Sequence, residues 1–314
     1  MPRTRSRRAR VSGWARAGAG LVLAVALAWI PSPFLALAPG HVFDLSGVVK
    51  VGGGGHDPGV SGLGMVTVEA RRARGWEVAL DLFHPGRELV WARSLPLPVE
   101  QYMNAERLLF VESVQFAGVT ALSLMGRPVE VAGDGILVQW VTPGAPLAAR
   151  LQPGDILEGY PTSFHLRRVL WERGWASVRV RGETVELGPD DLRGLGLVTL
   201  HPRVPGLSLE VANAGGVGGP SAGLACALEL LRQLGELPLA PGAKVVATGS
   251  IDPSGEVGRT GGVALKARAA KGAGADLFLV PSGQEEEARG AAPGLRVVGV
   301  SSLAQAVAAM RDLR

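Results

Sequence analysis

The apolar and charged positions of the chain change character sharply near the N-terminus. Residues 1–16 are rich in arginine, and residues 17–38 form an apolar run without a charged side chain. About 20 apolar residues suffice for a helix to cross a bilayer, and a basic flank favours the cytoplasmic side. The pattern predicts a basic cytoplasmic tail at 1–16 and a transmembrane signal-anchor at 17–38, with the bulk of the chain extracytoplasmic.

A cleaved signal peptide is the alternative interpretation of this segment. Ala36-Leu37-Ala38 fits the small-x-small cleavage pattern. Pro39 would directly follow the cut, and its ring restricts the backbone there, which favours a retained anchor. Both interpretations place residues 40–314 outside the cytoplasm, whereas a third, a buried helix of a cytosolic protein, does not.

Residues 39–115 are expected to form a β-rich extracytoplasmic segment. Residues 62–70 and 76–82 have the lengths and apolar patterns of strands. The glycine run that follows Val51 predicts a loop. His56 and His84 fall in predicted loops without a second ligand at metal-binding spacing, so neither a metal nor another cofactor is expected.

Residues 116–190 show a recurring alternation of strand, turn and helix patterns. An apolar run opens with Gly135, a short helix is predicted at 146–151, and a turn leads into a strand ending at 157. An amphipathic helix is predicted at 163–172 and a hairpin at 176–187.

This order of elements resembles a PDZ domain. In that family a strand that opens with glycine presents backbone N–H groups to the terminal carboxylate of a peptide, which adds a strand to the sheet. The resemblance implies that Gly135, Ile136 and Leu137 occupy the peptide-binding position. A packing module without a ligand is the alternative.

The strongest chemical pattern lies in residues 200–314. An apolar strand leads into a glycine-rich loop, and a helix follows from Leu224. Ser221 lies at that junction, where backbone N–H groups of a helix N-terminus are unsatisfied. Its hydroxyl can face a substrate carbonyl while N–H groups nearby, those of Gly219 and Ala222, hold the oxyanion.

Two other interpretations of this loop fit less well. A nucleotide-binding loop needs a third glycine at the right offset or a Gly-Lys-Ser/Thr ending; neither is present, and Pro220 removes an N–H donor. The nucleophile elbow of an α/β-hydrolase matches Gly219–Gly223 as G-x-S-x-G. That fold needs an acidic residue and then a histidine after the serine, but every histidine precedes Ser221.

A lysine base is the remaining option, because a serine–lysine pair is a known variant of the catalytic triad. The lysines after the serine are Lys244, Lys266 and Lys271. Lys244 begins an apolar strand, and Lys271 lies at a helix end, where it complements the helix dipole. Lys266 is surrounded by apolar neighbours, and burial would lower its pKa toward the range of a usable base.

These residues also match a family. The segment 219–223 resembles the nucleophile motif of Lon proteases, and Thr248-Gly249 with the segments 255–258 and 261–266 resembles that family's lysine motif. The resemblance implies an α+β proteolytic domain at 200–314, with Ser221 as nucleophile, Lys266 as general base and Thr248 as a residue that orients the lysine. The extra glycine-rich stretch at 214–218 departs from the family's pattern.

The combination of anchor, PDZ-like unit and Lon-type domain resembles bacterial membrane-bound proteins. It implies an ATP-independent serine endopeptidase that acts on unfolded or flexible protein substrates, with a self-associated ring as an expectation by analogy. A membrane-tethered peptide-binding scaffold without turnover and a degraded, inactive copy are the alternatives. The net charge of +4 arises largely from the first 16 residues, so nucleic-acid binding is not expected. Cys226 is expected to be a small buried apolar residue.

Overall fold

The computed structural model describes residues 18, 20, 22, 29–52, 62–84, 86–212 and 217–313. They form a mixed α/β structure. The chain divides into two compact units, one of Met1–Ala38 with Ala70–Ala92 and one of Pro39–Glu69 with Arg93–Arg314. Strands cross from one unit to the other at residues 38–39 and 69–70.

Strands outnumber helices among the described residues. In chain order, the strands are β1 (Pro31–Asp44), β2 (Val49–Val51), β3 (Leu63–Arg74), β4 (Glu88–Trp91), β5 (Ile136–Val141), β6 (Ile156–Leu157), β7 (Ala176–Val180), β8 (Glu183–Leu187), β9 (Leu195–Thr199), β10 (Leu209–Val211), β11 (Val245–Ala247), β12 (Ser250–Ile251), β13 (Val257–Gly258), β14 (Leu277–Pro281) and β15 (Val297–Val300). The helices are α1 (Gly75–Asp81), α2 (Val99–Leu124), α3 (Ser163–Arg173), α4 (Gly223–Gln233), α5 (Val263–Gly272), α6 (Glu285–Ala291) and α7 (Leu303–Arg311).

The smaller unit consists of the start of β1, the end of β3, helix α1 and strand β4. Residues 34–37 of β1 pair antiparallel with β4. The strand predicted at 76–82 is wrong, since these residues form α1. The Glu77 carboxylate accepts a hydrogen bond from the Arg74 backbone N–H at 2.7 Å. Such a contact three residues into a helix stabilises its first turn.

The predicted transmembrane segment 17–38 is wrong over Pro31–Ala38, which belong to β1. Two prolines, Pro31 and Pro33, disfavour a helix interior, and backbone pairing with β4 replaces the helical hydrogen bonds. Most of residues 17–30 lies outside the described residues, as does most of the loop predicted after Val51.

The larger unit is organised around a sheet in which β15, β14, β11, β3 and β1 lie side by side in that order. Neighbouring pairs from β15 to β3 run parallel. Helices α2 and α4 pack against each other over the shared core. Cys226 of α4 lies in this core, where burial raises the pKa of its thiol to about 12, as expected of a residue that packs like a small apolar group.

Helix α2 corrects the expectation that residues 39–115 are strands and turns. It runs unbroken over the 26 residues Val99–Leu124, directly after Pro98, so the expected boundary at 115/116 falls inside it. Among the described residues it is the one helix long and apolar enough to cross a membrane, but 61% of its apolar window is buried within the protein. That burial is what a core helix shows.

Residues 131–200 have a core of their own. Strands β6, β5 and β9 form a sheet in that order, β7 and β8 form the predicted hairpin, and α3 covers them. The predicted strand after Gly135 and the helix at 163–172 are confirmed. The helix predicted at 146–151 is wrong, because this segment forms turns. Strand β9 lies beyond the expected limit at residue 190, since its apolar residues complete the β5 pairing.

A buried carboxylate joins α2 to this second core. Glu112 is 5% exposed. It accepts hydrogen bonds from the Thr199 backbone N–H at 2.9 Å, from the Thr199 hydroxyl and from the Ser163 hydroxyl at 2.7 Å. One side chain of α2 therefore satisfies donors at the end of β9 and the start of α3.

Replacing Glu112 by alanine is expected to lower the free energy of unfolding. The change leaves the Thr199 N–H and the Ser163 hydroxyl without their acceptor, and an unsatisfied buried donor costs roughly 1–3 kcal/mol. The exposed Glu100→Ala on the same helix is the control; it removes a first-turn charge that favours the helix dipole, and it should cost less than about 1 kcal/mol. Equal urea midpoints for the two variants would contradict this role of Glu112.

Candidate functional site

The position of Ser221 is fixed by the turn that opens α4. Ser221 lies in a 3-10 helix, Pro220–Ala222, that runs directly into α4. Gly219 precedes it with φ +85°, a conformation that side chains other than glycine rarely adopt. The Ser221 carbonyl accepts hydrogen bonds from the Gly249 N–H at 2.7 Å and from the Thr248 hydroxyl at 3.2 Å. The turn is thereby attached to the end of β11, and Ser221 stays half-buried.

Lys266 reaches the site from the first turns of helix α5. The helix begins after Gly262, and the Lys266 N–H donates to the Gly262 carbonyl at 2.9 Å. Its neighbours Leu265 and Ala267 are fully buried, and Lys266 itself is only 4% exposed. The apolar packing of this helix thus carries a lysine side chain into the interior, as the sequence pattern indicated.

The Lys266 amine lies among three hydroxyl groups. Its Nζ is 2.9 Å from Ser221 Oγ, 3.1 Å from Thr248 Oγ1 and 2.6 Å from Thr260 Oγ1. The structure therefore brings together the predicted nucleophile, the predicted base and the predicted orienting threonine. Thr260 completes the set and is not among the residues that the sequence predicts.

Each of the two threonine hydroxyls has a backbone carbonyl within reach as an acceptor, in addition to its contact with the lysine. Thr248 donates to the Ser221 carbonyl at 3.2 Å, and Thr260 donates to the Gly261 carbonyl at 3.4 Å. Each threonine oxygen can thus accept from Lys266 Nζ. The ammonium form donates a third hydrogen bond, to Ser221 Oγ, whereas in the neutral amine the two threonine bonds use both N–H groups. The amine lone pair is then left for Ser221 Oγ, so the arrangement suits transfer of the serine proton to the lysine.

Burial lowers the pKa of Lys266 to about 8, because a charged ammonium is poorly solvated away from water. The Glu106 carboxylate opposes this effect and raises the lysine pKa. A pKa near 8 leaves a useful fraction of neutral amine at physiological pH, which a general base requires.

Glu106 comes from helix α2 and also contacts the loop before Ser221. Its backbone carbonyl accepts from the Gly219 N–H at 2.7 Å, and a Cβ added to Gly219 would lie 2.6 Å from Glu106 Oε2. Burial raises the pKa of Glu106, while a hydrogen bond from Tyr102 and the charge of Lys266 lower it. No sequence pattern indicates Glu106, because the sequence does not predict a helix over residues 99–115.

Gln284 holds Thr260 in place. The Gln284 side chain accepts from the Thr260 N–H at 3.0 Å and donates to the Thr260 carbonyl at 2.9 Å. Gln284 is 4% exposed, and these two hydrogen bonds give its buried side-chain oxygen and nitrogen a partner each, as buried polar groups require. The sequence gives one indication of Thr260: it is a hydroxyl residue between Gly258 and Gly261, six positions before Lys266.

The oxyanion positions predicted from the sequence differ in outcome. The Gly219 N–H already donates to the Glu106 carbonyl, so the oxyanion role assigned to Gly219 is corrected. Ala222 is the last residue of the 3-10 helix and is 7% exposed. Its role stays a prediction.

The predicted peptide-binding residues Gly135, Ile136 and Leu137 do not lie at an open strand edge. Strand β5 is the middle strand of its sheet, with Ile136 opposite Leu157 of β6 and Thr199 of β9. Pairing on both sides uses the backbone groups that an added peptide strand would need. The peptide-binding role of these three residues is corrected for that reason.

Comparison with known proteins does not place the chain in a family. A scan against protein-family models found no match, and a search of curated proteins found none either.

The ionisation of Lys266 can be followed directly by NMR of lysine side chains labelled with ¹³C. The chain has only four lysines, Lys50, Lys244, Lys266 and Lys271, and a Lys266→Met variant assigns the signal. We expect a midpoint of about 8. Glu106→Gln should lower this midpoint, because it removes a charge that favours the ammonium form.

The exposed Glu100→Gln on the same helix is the matched control and should leave the Lys266 midpoint unchanged. A Lys266 midpoint that stays constant or rises in Glu106→Gln would show that the two side chains do not interact as described.

Proposed function

We propose that the chain is an ATP-independent serine endopeptidase, anchored in the membrane, that hydrolyses peptide bonds through Ser221 and Lys266. The observation that carries the proposal is the 2.9 Å contact between the Ser221 hydroxyl and a buried lysine amine whose pKa burial lowers to about 8. A serine hydroxyl needs an adjacent base to act as a nucleophile, and a lysine on a protein surface is too strongly protonated to be one.

The reaction follows from the positions of the donors and acceptors. Ser221 Oγ attacks the carbonyl carbon of the scissile peptide bond while its proton passes to Lys266 Nζ. The resulting ammonium donates that proton to the leaving amine as the C–N bond breaks, which leaves an ester on Ser221. A water molecule, deprotonated in turn by the neutral amine, attacks the ester and regenerates the serine.

The two threonines act by positioning the base. Thr248 and Thr260 accept hydrogen bonds from the two N–H groups of the neutral lysine. The lone pair of the amine therefore keeps the same direction in the attack on the peptide bond and in the hydrolysis of the ester. Gln284 does not contact the lysine in these hydrogen bonds; it positions Thr260, which does. Such fixed geometry contributes to rate because little reorganisation is needed when the proton moves.

Membrane attachment and the choice of substrate rest on sequence. The uncharged run at 17–30 and the preceding arginines support attachment to a membrane at this end of the chain. Since Pro31 begins a strand, the run is shorter than the about 20 residues of a helix that crosses a bilayer, and placement of the site on the extracytoplasmic side rests on the basic flank. Because the sequence lacks a Gly-Lys-Ser/Thr phosphate loop, the proposed substrates are unfolded or flexible proteins that need no energy-driven unfolding. The resemblance of residues 116–190 to a PDZ domain supports a role in substrate binding or regulation, with no residue assigned to it.

Loss of either member of the pair should abolish cleavage of an unfolded protein substrate. Ser221→Ala removes the nucleophile. Lys266→Arg keeps a positive charge that cannot be lost at relevant pH, and loss of general-base catalysis alone should reduce kcat by about 10²–10⁴. Lys271→Arg is the matched control on the same helix, where Lys271 is exposed, and should retain activity.

A fluorophosphonate probe followed by mass spectrometry separates turnover from simple peptide binding. The endopeptidase should be labelled on Ser221, whereas Ser254, an exposed serine, should not react. A chain that binds peptides with full affinity but shows neither labelling nor cleavage would be the scaffold considered as the alternative.

The pH dependence of cleavage provides a separate test. Since the neutral amine is the active form, kcat/KM should rise with pH and level off above a midpoint of about 8. In Glu106→Gln the midpoint should move to lower pH, because the remaining burial effect is no longer opposed. A rate that falls between pH 6 and about 8 would contradict Lys266 as the base.

A further inference from the structure

Helix α1 presents its apolar side to the outside. Trp76, Ala79 and Leu80 recur at the spacing that places side chains on one face of a helix, and Phe83 follows in the turn after the helix ends at Asp81. Such a face normally packs on a core. Here Trp76 is 41% exposed, Leu80 63% and Phe83 85%. Leu82, next to Phe83, is 69% exposed.

The polar side of the same helix points inward. Glu77 and Asp81, one turn apart, are 8% and 4% exposed. Each is paired with an arginine, Glu77 with Arg71 and Asp81 with Arg87, both at 2.6 Å. Buried charges are tolerated only when they are paired, as these two are. A helix that buries its carboxylates and exposes its aromatic and aliphatic residues has the opposite arrangement to that of a helix on the surface of a protein in water.

More apolar residues of the same unit are exposed beside the helix. Trp29 and Ile30 are 59% and 53% exposed, and Trp91 is 44% exposed. The Gly75 N–H at the start of α1 donates to the Ile30 carbonyl at 3.2 Å, which ties the helix to the end of the apolar run 17–30. The Arg74 guanidinium lies 4.7 Å from the centre of the Trp29 ring.

We infer that this outward apolar face, formed by Trp29, Ile30, Trp76, Leu80 and Phe83, rests in the interface of a phospholipid bilayer. The inference rests on the proposed membrane anchor and adds a second, structured contact to it. The first two members of the face, Trp29 and Ile30, end the uncharged run 17–30. The face is therefore continuous in sequence with the segment proposed to attach the chain to the membrane.

The composition of the face fits lipid headgroups on one side and acyl chains on the other. Tryptophan is enriched at this depth of a membrane because its ring is apolar and its N–H is polar. Arg74 is exposed and lies over the Trp29 ring, and arginine can extend its charge toward phosphate while its stem stays on apolar surface.

The test uses the full chain in phosphatidylcholine–phosphatidylglycerol vesicles, with an environment-sensitive fluorophore on Phe83→Cys. The one natural thiol, Cys226, is fully buried and does not take up the label. Trp171→Cys is the matched control, because Trp171 is an apolar residue of the other unit with similar exposure, 89%. Both labels are quenched in turn by iodide in water and by spin-labelled lipid.

We expect a label at residue 83 to be quenched by spin-labelled lipid and shielded from iodide, relative to the label at residue 171. Equal iodide quenching of the two labels on vesicle-bound chain overturns the inference but leaves the anchor standing. A chain that does not float with the vesicles overturns both. Shielding from iodide without lipid quenching also overturns the inference and indicates a second copy or another protein over the face. Cleavage through Ser221 is unaffected by any of these outcomes.

Discussion

The buried amine of Lys266 sets the main constraint on the larger unit, because it must be supplied with hydrogen-bond partners away from water. Among the described residues, its partners are all hydroxyl groups. Lys266 is surrounded by apolar packing, so its charge is poorly solvated, and three hydroxyls replace only part of what water would supply. The elements that bring these hydroxyls together are the β11 end, the turn before α4 and the loop before α5. Together, these three elements position the hydroxyl groups that contact Lys266 Nζ.

That constraint has a cost in stability whose sign follows from proton linkage. Burial depresses the pKa of Lys266 to about 8 in the folded state, while in the unfolded chain a lysine holds its proton to about 10.4. Between these values the unfolded state binds more protons, so the contribution of Lys266 to stability rises with pH across this interval and is least favourable below it. Glu106, by raising the lysine pKa, reduces this cost and also reduces the fraction of neutral amine. Its placement on α2, against the loop before Ser221, is a compromise between folding and reactivity.

The sequence predicted the parts of the site that depend on local pattern. Ser221 follows a glycine-proline turn, and Lys266 lies among apolar helix neighbours, so both could be recognised within short windows. Thr260 and Gln284 are 24 positions apart, and Glu106 is 160 positions from Lys266, so only the packing of distant segments brings them together. The same limit explains the peptide-binding assignment: the pattern at 135–141 correctly predicted a strand, but whether a strand is central or at an edge depends on β9, nearly 60 residues later.

Helix α1 shows a second limit, which concerns the surrounding medium. Its apolar positions have the helical period, but the run 76–82 is short, and a short apolar run is ambiguous between helix and strand. Even a correct assignment would have placed Trp76 and Leu80 in a core, because the period indicates which face meets an apolar environment and not whether that environment is protein or lipid. The paired, inward carboxylates of Glu77 and Asp81 supply the missing information. Among the described residues, the face opposite to these buried ion pairs is left exposed, and a lipid contact is the proposal that accounts for it.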